Sequence, residues 1–310
     1  MSIQLPQRRT TTRLIGLKTF SAILSTAIFF TMTTKTYSQS TQADVKKGYA
    51  PVNGLKMYYE IHGAGQPTIL IHGGFGSTDM FGPNRIELEK NRQVIAVDLQ
   101  AHGRTSDIDR ALSFESMADD IAELMKYLKI KKADIIGYSV GGAVGIQTVI
   151  RHPELVRRLV VVSAPFKHDG FYADIRTQQA AMLNAGIAEA LKQMPMYAAY
   201  IKIAPKPEDW NSLVSKLGKL INEDYDWSAQ VKSIKLPVML VYGDADLIPP
   251  SHAVEFFNLL GGGLKDGGWD GSGVSNARLA ILPGVTHYTI FMNPALATTV
   301  IPFLDAPEKK

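Results

Sequence analysis

The 310-residue sequence contains no cysteine. That absence excludes a disulfide framework, a thiol nucleophile, a thiolate-bound metal and a lipid-modified cysteine anchor. Stability must therefore come from core burial, for which 45% hydrophobic and 20% charged residues are ordinary globular material. Long apolar runs are also lacking: Phe20 to Phe30 is short and rich in Ser and Thr for a membrane span, with an uncleaved N-terminal anchor as the alternative reading. No internal repeat is evident. The glycine-rich stretch Gly261 to Asn276 lacks the closing Gly-Lys-Ser/Thr of a phosphate loop and the spacing of an EF-hand, so it reads as a solvated, ordered loop.

The formal net charge of +4 is misleading. Residues 1–38 hold five of the 33 basic side chains (Arg8, Arg9, Arg13, Lys18 and Lys35) and none of the acidic ones. The remainder carries 28 basic against 29 acidic groups, a net of −1. A basic pI thus gives no support for nucleic-acid binding. Basic residues, then Phe20 to Phe30, then a polar Ser/Thr segment form the layout of a secretory signal peptide, with cleavage expected near Ser38. The sequence predicts a secreted or periplasmic protein without a stable membrane span in the mature chain, and it carries no signal for an oligomeric state.

Downstream, Tyr49 to Val52 and Leu55 to Ile61 flank Asn53-Gly54, a strong hairpin signal. Short apolar runs at Thr68–Ile71, Val94–Val97, Leu159–Val162, Val238–Tyr242 and Leu279–Leu282, with the apolar run that enters the turn at Gly137, read as strands covered on both faces. Helices are expected at Met80–Lys90, at Ser113–Leu128 with Ser113 as cap, after Ser139 to about His152, at Ser251–Leu260 and at Pro294–Phe303. The alternation predicts an α/β protein with a mostly parallel sheet and helices on both faces. Between Phe166 and Lys235 strand signals cease, and Pro195, Pro205 and Pro207 divide the segment into about three helices. Such a length is a subdomain rather than a connection. The expected organisation is 1–38 signal peptide, 39–165 first core part, 166–235 helical cap and 236–310 second core part.

The stretch from Lys132 to Val149 carries the chemistry. Gly137-Tyr138-Ser139-Val140-Gly141 fits the G-x-S-x-G pattern of a serine on a sharp strand-to-helix turn, where the flanking positions must be small. A serine hydroxyl needs a base, and the base an orienting acid. Gly243-Asp-Ala-Asp246 and the His287 turn both follow strands, where open α/β sheets collect their ligands. Asp246 and Asp244 both qualify as the acid. His72 and His102 read as structural, and His62, His152, His168 and His252 as surface or capping residues without a paired carboxylate.

Together, His72-Gly73-Gly74, the Asp98 to Thr105 loop, the Ser139 elbow, Gly243 to Asp246 and the His287 turn resemble the α/β-hydrolase superfamily. The likeness is to its lidded group of esterases, perhydrolases, lactonases and C–C bond hydrolases, in order from Tyr49 to Phe303. The resemblance implies an eight-stranded sheet with a helical cap inserted after strand 6. It implies Ser139 as nucleophile, Asp246 as acid and His287 as base. Backbone N–H groups of Val140 and Gly74, or Phe75 in place of Gly74, would form the oxyanion hole. Phe75 and Tyr138 are expected in the substrate pocket, and Met182, Met194, Met196, Tyr197 and Tyr200 in cap packing or an apolar pocket wall. No metal or cofactor is expected, and a small ester-like molecule is the expected partner. Serine at the elbow disfavours the dehalogenase and epoxide hydrolase chemistries, which need Asp there. The function implied is a carboxylesterase. Lactonase, perhydrolase or C–C hydrolase action on the same residues is the first alternative, and a cofactor-free oxygenase or lyase, or a binding protein, the second.

Overall fold

The computed structural model describes residues 45–307; the expected signal peptide lies outside the described residues. β1 (Lys46–Val52) and β2 (Leu55–His62) pair antiparallel, with Val52 opposite Leu55. Asn53 and Gly54 turn between them with φ of 45° and 86°, the pair of positive values that a two-residue type I′ hairpin needs.

Six further strands follow: β3 (Gln66–Ile71), β4 (Arg92–Val97), β5 (Ala133–Tyr138), β6 (Val156–Val162), β7 (Val238–Ala245) and β8 (Ala277–Thr286). The sheet order is β1-β2-β4-β3-β5-β6-β7-β8. β2 meets β4 antiparallel, and every later pairing is parallel. Successive side chains of a strand point to opposite faces, and here both faces are dry. Ile69, Ile71, Ile135, Val161 and Leu240 enter one apolar cluster, while Leu70, Ile136, Val160, Val162, Met239 and Val241 enter the other. This is why these strands read as unbroken apolar runs rather than alternating ones.

Helices cover the two faces: α1 (Gly82–Leu88), α2 (Phe114–Tyr127), α3 (Val140–Arg151), then α9 (Pro250–Leu259) and α10 (Ala295–Asp305) beyond the cap. Ser113 caps α2, its hydroxyl accepting from the Ser116 N–H at 3.1 Å. α1 is shorter than the predicted span at both ends, starting at the Gly82-Pro83 step and stopping at Leu88 with Glu89 as its C-cap.

The cap departs from the expected three helices. Between β6 and β7 the chain forms α4 (Ala173–Met182), α5 (Ala188–Leu191), α6 (Pro195–Ile203), α7 (Trp210–Asn222) and α8 (Ser228–Ser233). Pro195 starts α6, as its fixed φ allows. The unforeseen break is at Asn184, whose side chain accepts from the Gly186 N–H at 3.0 Å and so turns the chain without a proline. α7 is the cap's anchor: Trp210, Leu213, Val214, Leu217 and Leu220 are buried, and the Lys216 ammonium meets Asp107 of the loop after β4 at 2.7 Å. α4, by contrast, buries no whole residue.

β7 and β8 run further than predicted, to Ala245 and Thr286, with an irregular step between Gly243 and Ala245. The parallel neighbours β3, β5, β6, β7 and β8 therefore end in one row. Gly73, Ser139, Ser163, Asp246 and His287 all follow those ends.

Candidate active site

Ser139 sits between β5 and α3 with φ 53° and ψ −120°, a conformation that costs an L-residue roughly 1–3 kcal/mol. The flanking glycines are steric necessities. A Cβ on Gly137 would lie 2.1 Å from the Gly141 carbonyl oxygen, and one on Gly141 would lie 2.3 Å from that of Ile71. Any side chain at either position would push the elbow open.

A linked chain of groups crosses the strand ends. The Ser139 hydroxyl donates to His287 Nε2 at 3.2 Å, and His287 Nδ1–H donates to Asp246 Oδ1 at 3.0 Å. Asp246 and His287 are buried. Ser163, itself at φ 50°, donates its hydroxyl to Asp246 Oδ2, and the Gly243 N–H donates to the same oxygen at 3.3 Å. Burial pushes the Asp246 carboxyl up, but the His287 hydrogen bond and charge, with Ser163 and Gly243, outweigh it and hold the carboxyl below its usual range. Asp244 is exposed and accepts from the Gly284 N–H at 2.8 Å, away from the imidazole. Of the two carboxylates, Asp246 is the one brought to His287.

The turn after β3 lies against the elbow. A Cβ on Gly73 would fall 3.2 Å from Ser139 Cβ, and one on Gly74 3.6 Å from Val140 Cγ2. Phe75 takes φ 58° and packs its ring on Trp210 at 5.3 Å. His72 holds this turn from inside: Nδ1–H donates to the Gly73 carbonyl at 2.7 Å and Nε2 accepts from the Leu99 N–H at 3.1 Å.

A cavity of about 50 Å³ opens at the serine, lined by Phe114, Ser139, Val140, Ala143, Pro165, Phe171, Gln179, Ile221, Tyr225 and His287. Several expectations are corrected here. Tyr138 does not line it; its ring lies 5.2 Å from that of His287 and its hydroxyl donates to the His287 carbonyl at 2.8 Å, so it supports the imidazole from below. Phe75 does not line it either, being turned onto Trp210. Of the cap residues, Tyr197 and Tyr200 pack on Trp210 as expected, Met182 and Met194 are exposed, and none of Met182, Met194, Met196, Tyr197 and Tyr200 lines the cavity. The aromatic walls come instead from Phe114, Phe171 and Tyr225, whose sequence surroundings carry no motif. Ser163 was legible in principle, as a polar residue directly after a parallel strand.

The remaining histidines do have carboxylate partners: His62 with Glu60 at 3.0 Å, His152 with Asp119 at 2.8 Å, His168 with Asp224 at 2.7 Å and His252 with Glu255 at 3.7 Å. His62 and Glu60 share one face of β2, His252 and Glu255 lie on adjacent turns of α9, and the other two pairs join residues distant in sequence. None touches Ser139. Among the described residues no group of three or more acidic, His or Cys side chains is arranged to hold a metal.

Burial pushes His72 down to about 3, and His102 and His252 to about 4. The unfolded chain protonates these near 6.5, so between roughly pH 6.5 and 4 it binds protons that the folded chain refuses. Their contribution to stability is complete above that window and lost as pH falls through it, at up to about 1.4 kcal/mol per pH unit per histidine. The urea midpoint is expected to drop steadily from pH 7 to 5. A flat midpoint over that range contradicts neutral burial.

A parallel-rich sheet, a helical cap after β6 and a serine elbow facing an imidazole at the strand ends define the α/β-hydrolase class. A family model described as alpha/beta hydrolase fold matches residues 66–267, and the chain belongs to that family. RutD of Azorhizobium caulinodans, provisionally named a carbamate hydrolase, is 25% identical over 234 residues, 70% of this chain and 86% of its own. RutD of Rhizobium rhizogenes is 29% identical over 149 residues, and there the match spans only 56% of the relative's length and 46% of this chain. Among solved structures, the enol-lactonase of Burkholderia xenovorans LB400 superposes with a TM-score of 0.64 at 20% identity, over 83% of this chain and all of the other. The carboxylesterase CesB of Bacillus subtilis gives 0.64 at 20% identity, over 84% and 92%. At that identity the structural likeness shows the fold alone. The hydrolase relatives support an enzyme of the α/β-hydrolase type.

Proposed function

We propose that the chain is a serine hydrolase, a carboxylesterase acting on small esters through an acyl-enzyme. The observation that carries this reading is the hydrogen-bonded run from Ser139 through His287 to Asp246, opening into a small apolar cavity. His287 Nε2 takes the proton as Ser139 Oγ attacks the ester carbonyl. The oxyanion forms against the N–H groups of Val140 and Gly74, neither of which makes a hydrogen bond among the described residues. One such donor is worth about 10²–10³ in rate. The ester C–O bond then breaks, His287 returns the proton to the leaving alkoxide, and water activated by the same imidazole hydrolyses the acyl-serine. Asp246 stays ionised throughout and fixes the imidazole tautomer.

Cavity size supports a short acyl group. The cavity of about 50 Å³ beside the serine is small and walled mainly by apolar side chains, which suits a short acyl group better than a fatty chain. Lactone opening is the same chemistry on a cyclic ester and is the second reading, in keeping with the name of the enol-lactonase neighbour. The basic, apolar and polar order of residues 8–38 supports export. Among the described residues no helix is long and apolar enough to cross a membrane.

A fluorophosphonate probe tests the reading. It is expected to label the folded protein at Ser139, and short-chain esters and lactones are expected to be turned over in preference to octanoate esters. A folded protein that neither takes the label nor hydrolyses any ester would instead be a binding protein, or a cofactor-free oxygenase or lyase that uses His287 without acylation.

A further inference from the structure

We infer that Gln179 and Tyr225 form a polar reading point for the substrate, and that the acyl part accepted beside Ser139 carries a neutral hydrogen-bond donor, a hydroxyl or an amide N–H. The inference rests on the hydrolase reading above and names its substrate class.

Polar side chains around the site are otherwise committed. Tyr138 donates to the His287 carbonyl, Tyr242 to the Ala164 carbonyl, Ser163 to Asp246 and the Trp210 indole to the Ala188 carbonyl. Gln179 and Tyr225 break this rule. Gln179 Oε1 is buried and has no partner among the described residues. Five other buried side-chain atoms share that state, on His102, Asp134, Arg157, His168 and Arg176, but none of those residues lines the cavity holding Ser139 and His287. The Tyr225 hydroxyl also makes no hydrogen bond among the described residues, although its ring is held between Phe114 and Trp227. Simple packing at Gln179 would be better served by Leu, because a buried polar atom left unpaired is destabilising.

The chemistry of the two groups selects the ligand. In the orientation observed the Gln179 amide presents its oxygen, so the matching ligand group is a donor; a phenol can donate or accept and completes the contact. No Lys or Arg lines the cavity, so a carboxylate would find no counter-charge there. Phe114, Phe171, Val140 and Ile221 leave room for only a few apolar atoms besides the donor.

The test compares methyl 2-hydroxypropionate, methyl 3-hydroxypropionate and methyl propionate on the full chain, each kcat/KM divided by the ester's own hydroxide rate. The better hydroxy ester is expected to exceed propionate by about tenfold or more. That ratio should fall to within about threefold of unity in Gln179→Leu, and should fall in Tyr225→Phe as well. A wild-type ratio near one, or a ratio that both variants keep, overturns the inference while leaving the hydrolase reading intact. So does a preference for monomethyl succinate that is lost in Arg176→Met, which would move recognition to the guanidinium. Absence of both labelling and ester turnover in the folded wild type removes the hydrolase reading, and this inference with it.

Discussion

Replacing Ser139 by alanine is expected to lower ester turnover by on the order of 10⁶ and to abolish fluorophosphonate labelling, with the fold intact. Deleting one oxygen removes the hydroxyl that faces the imidazole, at 3.2 Å from His287 Nε2. The elbow does not depend on that oxygen: the serine side chain makes no helix-capping bond, and the turn is shaped by contacts at Gly137 and Gly141. Thermal midpoint and circular dichroism should therefore match the wild type. Oxyanion donors and substrate binding alone leave a residual of about 10³–10⁴ over water, which sets the floor to be measured. Near-wild-type turnover in Ser139→Ala would show that His287 activates water or substrate directly, and the acyl-enzyme would have to be abandoned.

The sequence makes some features of this molecule legible and hides others for physical reasons. Buried strands announce themselves because both faces are dry, so Thr68–Ile71 and Val94–Val97 differ from their observed limits by only two residues. The elbow is legible because its steric demands fix residue types at fixed spacing. β7 and β8 run past their apolar runs because their last residues, Gly243 to Ala245 and Pro283 to Thr286, contain one core side chain, Val285, and an irregular pairing step that no apolar pattern marks. Cap helices have weaker rules. Short amphipathic segments pack on one buried side chain, here Trp210, and a break such as Asn184 depends on a local side-chain bond that composition does not encode. Cavity walls are the hardest part. Phe114, Phe171 and the stretch holding Ile221 and Tyr225 come from three separated segments, and nothing in any one of them marks the meeting point. Histidine pairs such as His62 with Glu60 were hidden for a simpler reason, since a two-residue separation on one strand face is common and carries no functional spacing.

Asp246→Asn is expected to lower kcat/KM by about 10⁴, and Asp244→Asn by less than about twofold. The first effect follows from the donors already present. Asp246 Oδ2 receives the Ser163 hydroxyl and the Gly243 N–H, so an asparagine must keep its oxygen on that side. Its NH₂ is then turned to the position of Oδ1, facing His287 Nδ1 at about the present 3.0 Å. An amide donor there can only be met by an Nδ1 lone pair, which moves the ring proton to Nε2 and points it at Ser139. The imidazole can no longer accept the serine proton, although every heavy atom keeps its place. At Asp244 the carboxylate only accepts from the Gly284 N–H on an exposed surface, and an asparagine oxygen does the same. Parallel kinetics on the two variants, each checked for an unchanged thermal midpoint, give the ranking directly. If Asp244→Asn proved the more damaging, the acid would have to reach His287 from the other side of the β7 bulge, through a rearrangement of the Gly243 to Ala245 step.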